Sequence, residues 1–130
     1  MDIERIHKAL TRGETTRVEF KSCRDKVSNS VYDTVCSFSN HSGGLIILGF
    51  DDDMNLIGVN KNASVNLKKN IINTLGNKEV FFPKLTIEPE IEEYDGKTII
   101  VIDVPVSQYP VRYKNKYFDR VGDADMDITD

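Results

Sequence analysis

Ser37-Phe-Ser-Asn-His-Ser-Gly-Gly-Leu-Ile-Ile-Leu-Gly-Phe-Asp-Asp-Asp53 is the stretch whose reading decides the fold. Leu45, Ile46, Ile47 and Leu48 are consecutive and apolar. A strand with one wet face alternates apolar and polar residues, whereas an unbroken run has both faces covered. The pattern therefore predicts a central strand over 44–50. Gly43 and Gly44 stand before it, where a helix must stop and the backbone must turn sharply. Asp51, Asp52 and Asp53 stand after it, as a solvated turn or as the start of a site.

Upstream of this stretch, a helix is predicted over 28–40, with Ser28 as N-cap. Val31, Val35 and Phe38 form its apolar stripe, widened by Tyr32, Cys36 and Ser39. A shorter amphipathic helix is predicted over 2–11 from Ile3, Ile6 and Leu10, ended by Gly13. Arg17–Lys21 alternates, so it reads as a strand with Val18 and Phe20 inward and Glu19 and Lys21 together on the other side.

Downstream, Leu56–Val59 is short, apolar and expected to pair back on the central strand. A third helix is predicted over 63–76, with Gly76 as its stop. Leu85, Ile87 and Ile91 alternate with polar residues, and Asp95-Gly96 signals a hairpin. Thr98–Val104 is a second buried strand. Pro110–Val121 is a last hairpin with Lys114-Asn115 near its tip. The fold class that follows is α+β: a mixed, largely antiparallel sheet with two to three helices packed on it.

The 130 residues fit a single domain, 1–130, and 39% apolar content supports a modest core without tryptophan. No apolar run of about 18 residues is present, so no transmembrane helix and no membrane partner are expected. The opening Met-Asp-Ile-Glu is not a secretory signal. Cys23 and Cys36 are too few for a disulfide framework and read as reduced thiols of a cytoplasmic protein.

The net charge of −4 argues against generic nucleic-acid binding. Residues 119–130, however, hold five acids and one Arg, a net of −4, which leaves 16 acids and 16 bases elsewhere. Basic patches can therefore form, and the acidic end reads as a boundary outside the working surface. The clearest patch is the last hairpin, where Arg112, Lys114, Lys116 and Arg120 interleave with Tyr113, Tyr117 and Phe118. Cations contact phosphates and aromatic rings stack on unpaired bases. The alternative is an ordinary solvated hairpin whose aromatic residues are core. Lys68, Lys69 and Lys78 are candidates to extend the surface. The glycines lack a Walker lysine or a GxGxxG pattern, so they read as a tight helix-to-strand turn and not as a nucleotide site. Two separated His and two separated Cys do not make a zinc site.

Several stretches together resemble one family, the Schlafen AlbA-like domains, across residues 10–123. Gly13-Glu14 with Glu19-Phe20-Lys21 resembles its glutamate-and-"EFK" opening. Val35–Asn40 with Gly43-Gly44 resembles its "cAFaN-x-x-GG" segment. Leu48–Asp52 with Ile57-Gly-Val59 resembles "iGvdDdG-x-i-x-Gv". Asp95-Gly-Lys97, Val104-Pro105, Pro110 and Arg120-Val-Gly122 resemble the closing segment. The chain departs from the pattern after Gly122, where Asp123, Asp125 and Asp127 replace Ser, Thr and basic residues.

The resemblance implies an Alba-related, nucleic-acid-binding domain, DNA before RNA, at the N-terminal end of a longer transcriptional regulator. It implies no cofactor in that role. Ribonuclease members of the family suggest an alternative, a Mg²⁺- or Mn²⁺-dependent site on Glu14, Glu19 and Asp51, with Asp52 as a substitute for the last. Oxygen ligands would hold the metal, which positions water and steadies the leaving oxygen. A third reading is a protein-interaction or dimerisation module, with a homo-oligomer as its product.

Overall fold

The computed structural model describes Ile3–Asp130. Three α-helices, one 3-10 turn and eight strands follow in the order α1 (Ile3–Arg12), β1 (Val18–Lys21), α2 (Asn29–Asn40), β2 (Gly44–Leu48), a 3-10 turn (Lys61–Ala63), α3 (Ser64–Leu75), β3 (Phe81–Phe82), β4 (Glu90–Tyr94), β5 (Lys97–Val104), β6 (Arg112–Tyr113), β7 (Lys116–Val121) and β8 (Ala124–Asp127). The α+β class holds. The predicted helix start at Asp2 lies outside the described residues. No helix of the described residues is long and apolar enough to cross a membrane.

The strands form two four-stranded sheets, where the sequence suggested one. The first has the order β1-β2-β5-β4 and the second β3-β6-β7-β8. Only β1 and β2 run parallel; every other pair is antiparallel. The two sheets separate because α2 lies between them. Val31, Val35 and Phe38 share one apolar cluster with Ile46 and Leu48 of the first sheet and Tyr113 of the second.

β2 is central, and both of its faces are covered. Leu45 and Ile47 pack with Ile6 and Ala9 of α1, while Ile46 and Leu48 pack toward α2 and α3. β5 repeats the device: Ile99 and Val101 face α1, and Ile100, Ile102 and Val104 face the other side. This is the physical reason for both unbroken apolar runs. Leu56–Val59 does not form a strand; a single bridge joins Phe50 to Leu56. Leu85 and Ile87 lie in an irregular segment but still pack against the larger cluster.

Gly43 closes the turn between α2 and β2 with φ +76°, and its amide donates to the Phe38 carbonyl at 2.8 Å. A Cβ at Gly43 would lie 2.6 Å from the Val104 carbonyl oxygen. The glycine thus serves a tight backbone crossing. Left-handed backbone costs an L-residue about 1–2 kcal/mol before that clash is counted. Gly43→Ala is expected to lower stability by about 2 kcal/mol or more, seen as a lower urea midpoint at unchanged slope.

Candidate nucleic-acid interface

The last hairpin turns through Lys114 and Asn115, both at positive φ (50° and 64°), the geometry of a two-residue turn matched to strand twist. Lys114 and Lys116 are exposed and Arg112 is half-buried. The Arg112 guanidinium sits 4.8 Å from the centre of the Phe82 ring, which is half exposed. The guanidinium thus covers one face of a half-exposed ring, and a cation backed by an aromatic side chain stands at the surface, an arrangement that suits a phosphate contact. Lys114 is fixed on two sides. Its amide donates to the Val80 carbonyl at 2.9 Å, and its ammonium lies 3.5 Å from Asn29 Oδ1 at the start of α2. Asn29, Asp33, Tyr113, Lys114, Lys116 and Phe118 line a depression of about 250 Å³ beside the tip.

The aromatic residues divide. Tyr113 is core, stacked on Phe81 with ring centres 4.9 Å apart, while Tyr117 and Phe118 are half-buried. On α3, Lys68 is held by Glu88 at 3.1 Å and Lys69 is exposed.

Arg120 does not belong to this surface, and its sequence-based role as a phosphate contact is corrected here. Its side chain is fully buried. Nη1 donates to Asp125 Oδ1 at 2.8 Å and Nη2 to the Thr15 carbonyl at 2.9 Å. The guanidinium stacks 4.8 Å over the Phe38 ring. Asp125 in turn accepts from Thr34 Oγ1 at 2.6 Å. The acidic end is therefore not a boundary outside the fold: β8 pairs with β7 from Val121↔Ala124 to Phe118↔Asp127 and brings Asp125 to Arg120. A Gly122-Asp123 turn between two runs is a recognised hairpin signal, and it was the available clue to β8.

The two glutamates meet beside this buried pair. Glu19 faces the α2 side of β1, as alternation requires, and is 6% exposed. Glu14 comes from the loop before β1, where a bridge between Thr15 and Val18 folds the chain back. Its Oε2 accepts from the Phe20 amide at 3.2 Å. Burial pushes the Glu19 carboxyl up to about 8, assisted by its hydrogen bond to Glu14 and that neighbour's charge. The same hydrogen bond, the Phe20 amide and the charges of Lys21 and Arg120 hold Glu14 below the usual range. One proton thus serves the pair: Glu19 keeps it and donates to an ionised Glu14. Lys21 Nζ lies 3.5 Å from Glu19 Oε1, and Arg120 Nη2 3.6 Å from Glu19 Oε2, which is buried without a hydrogen bond.

Asp51 does not join the glutamates. Its Oδ1 accepts from the amides of Asp53 and Asn55 at 2.9 and 2.8 Å, and its Oδ2 from the Asn55 side chain at 3.1 Å. The three acids thus make a turn, and these amides hold the Asp51 carboxyl below its usual range. Asp52 is exposed in the same turn. Among the described residues no group of three or more His, Cys, Asp or Glu side chains is placed to hold a metal ion. Glu14 and Glu19 supply two carboxylates of the expected set, and the third ligand is not brought to them.

Among known structures, the chain is similar to the N-terminal domain of a RecG-related protein from Nitrosomonas europaea. The TM-score is 0.67 at 23% identity, over 95% of this chain and 90% of that one. It is also similar to the DIP2311 protein from Corynebacterium diphtheriae, with a TM-score of 0.68 at 16% identity, over 97% of this chain but 29% of that one. At these identities the likeness is one of fold. No curated protein matches the chain. The sequence profile of the Schlafen AlbA_2 family matches residues 14–129, from the exposed glutamate through β8, and the chain belongs to that family.

Proposed function

We propose that this domain binds nucleic acid, DNA in the first instance, and serves a transcriptional regulator. The observation that carries this reading is the last hairpin, where Lys114 and Lys116 at the tip are exposed and the Arg112 guanidinium stacks over the half-exposed Phe82 ring beside them. Support also comes from a structural neighbour described as related to a DNA helicase. Contacts of this kind go to phosphates and to base faces, and they carry little sequence preference.

The test is fluorescence anisotropy with labelled duplex DNA, single-stranded DNA and RNA across a salt series. Arg112→Gln/Lys114→Gln/Lys116→Gln is expected to weaken binding about tenfold and to reduce the log–log salt slope by about 2–3, since each phosphate contact contributes about 0.9. Unchanged affinity and slope would remove the hairpin from the interface. The contact between Glu14 and Glu19 favours a second reading, the metal-dependent nuclease. A gel of the same samples with Mn²⁺ decides it: probe shortened only with metal, and not by Glu14→Gln, moves the assignment to that alternative.

A further inference from the structure

A groove of about 350 Å³ runs between α1, the start of β2 and the end of β5. Arg5, Lys8 and Arg12 line it from α1, at positions i, i+3 and i+7, so one helix face carries all three. Ile6, on another face of α1, is fully buried and anchors the helix on the first sheet. Arg17 enters from the chain just before β1, and its carbonyl accepts from the Leu45 amide at 2.8 Å. The floor is the Ser42–Gly44 backbone, held by the Gly43 crossing over Val104.

Four cations line the groove against one carboxylate, Asp103. Arg5 engages that carboxylate with both terminal nitrogens, at 2.7 and 3.4 Å. Lys8, Arg12 and Arg17 are exposed, and none has a carboxylate partner among the described residues. A local excess of three positive charges therefore sits on a chain of net −4. Unpaired like charges gathered around one concave surface repel one another, and an anion relieves that cost.

We propose that this groove binds the phosphodiester backbone of a nucleic acid. The proposal rests on the nucleic-acid reading above and adds a second contact surface to it. The hairpin tip lies at the start of α2, by Asn29, and the groove lies beyond its end, at Ser42. α2 has 12 residues, so about 18 Å of helix separates the two surfaces. Phosphates along one strand recur about every 3.4 Å, and the α1 wall of the groove stands on the face of the first sheet opposite α2 and the hairpin, so a strand touching both surfaces passes round the edge of the sheet and spans more than about five of them.

The test compares three variants on labelled 20-nucleotide DNA and RNA, single-stranded and duplex, across a salt series. Lys8→Gln/Arg12→Gln/Arg17→Gln removes the three unpaired charges of the groove and leaves the Arg5–Asp103 pair. The hairpin variant above serves as reference. Lys61→Gln/Lys84→Gln/Lys97→Gln removes equal charge elsewhere, and thermal melting by circular dichroism confirms folding of each. The groove variant is expected to raise Kd about tenfold and to lower the salt slope by about 2–3, with a smaller effect from the distant lysines. Wild-type binding that the hairpin variant weakens and the groove variant leaves unchanged overturns the groove alone. Equal weakening by the groove and distant variants also overturns it, as a net-charge effect. Failure of the wild type to bind any probe at low salt overturns both readings.

Discussion

Arg120→Met is expected to destabilise the domain by about 3–5 kcal/mol, the usual cost of removing one partner of a buried ion pair. A domain of this size is stable by about 5–15 kcal/mol, so the loss is a large part of the whole. The substitution strands Asp125 with only the Thr34 hydroxyl, and leaves the Thr15 carbonyl with only the longer bond from the Val18 amide, at 3.5 Å. Methionine keeps much of the volume over Phe38, so an empty space is not the main term. Urea unfolding followed by circular dichroism measures the effect. The double variant Arg120→Met/Asp125→Leu should recover part of the loss, because a buried pair replaced as a pair by apolar residues is often nearly neutral. A phosphate-contacting role predicts the opposite pattern: an unchanged midpoint and weaker nucleic-acid binding.

The second large effect is on pH dependence. The folded chain holds the Glu19 proton up to about 8, whereas an unfolded chain releases it near 4.5. Between those values the folded state binds one proton more, so stability falls as pH rises through the window. Glu14 acts in the reverse sense and only at acid pH. Its lowered affinity for protons adds stability that is lost as pH falls below the ordinary carboxylate range. The groups facing Glu19 are Glu14, Lys21 on its own strand and Arg120 from β7. Glu19→Gln keeps the shape and a donor for Glu14 but cannot ionise. Wild type is expected to lose on the order of 3 kcal/mol between pH 5 and 8 relative to Glu19→Gln, at about 1.4 kcal/mol per pH unit over part of the window. Parallel melting curves for the two proteins across that range would show that Glu19 is ionised in the folded chain.

Local patterns revealed the features that depend on neighbours in sequence. The runs Leu45–Leu48 and Thr98–Val104 disclosed covered strands, because an alternating face has no reason to be apolar twice. The Glu14–Glu19 pairing was implied by the family resemblance, and the bridge that folds Thr15 back on Val18 is what brings the two together. Features decided by distant partners were hidden. Whether Arg120 meets solvent depends on Asp125 and on Thr15, which lies 105 positions away. Alternation along β7 says which way it points but not what covers it. Asp51 resembled a ligand by position, yet its oxygens were claimed by the amides of its own turn. The second sheet was equally obscure, since β3 and β6 have two residues each and owe their place to α2. The groove cations are scattered over α1 and the β1 approach, and only the packing of α1 over the end of β5 gathers them.

The Arg120 clasp also bears on how the chain is made. Synthesis delivers α1, β1 and β2 first, with Glu19 on β1 and the Thr15 carbonyl in the chain just before it. Their partner arrives only with β7, and its counter-charge only with β8. Domains fold as units as the chain emerges, and a contact spanning 105 positions carries a large loop-closure cost until its ends meet. The Thr15 carbonyl and Glu19 therefore wait on β7 for Arg120, and Arg120 waits on β8 for Asp125. A stall or cut between Gly122 and Asp125 would leave Arg120 without its carboxylate and the rest of the domain poised but unlatched.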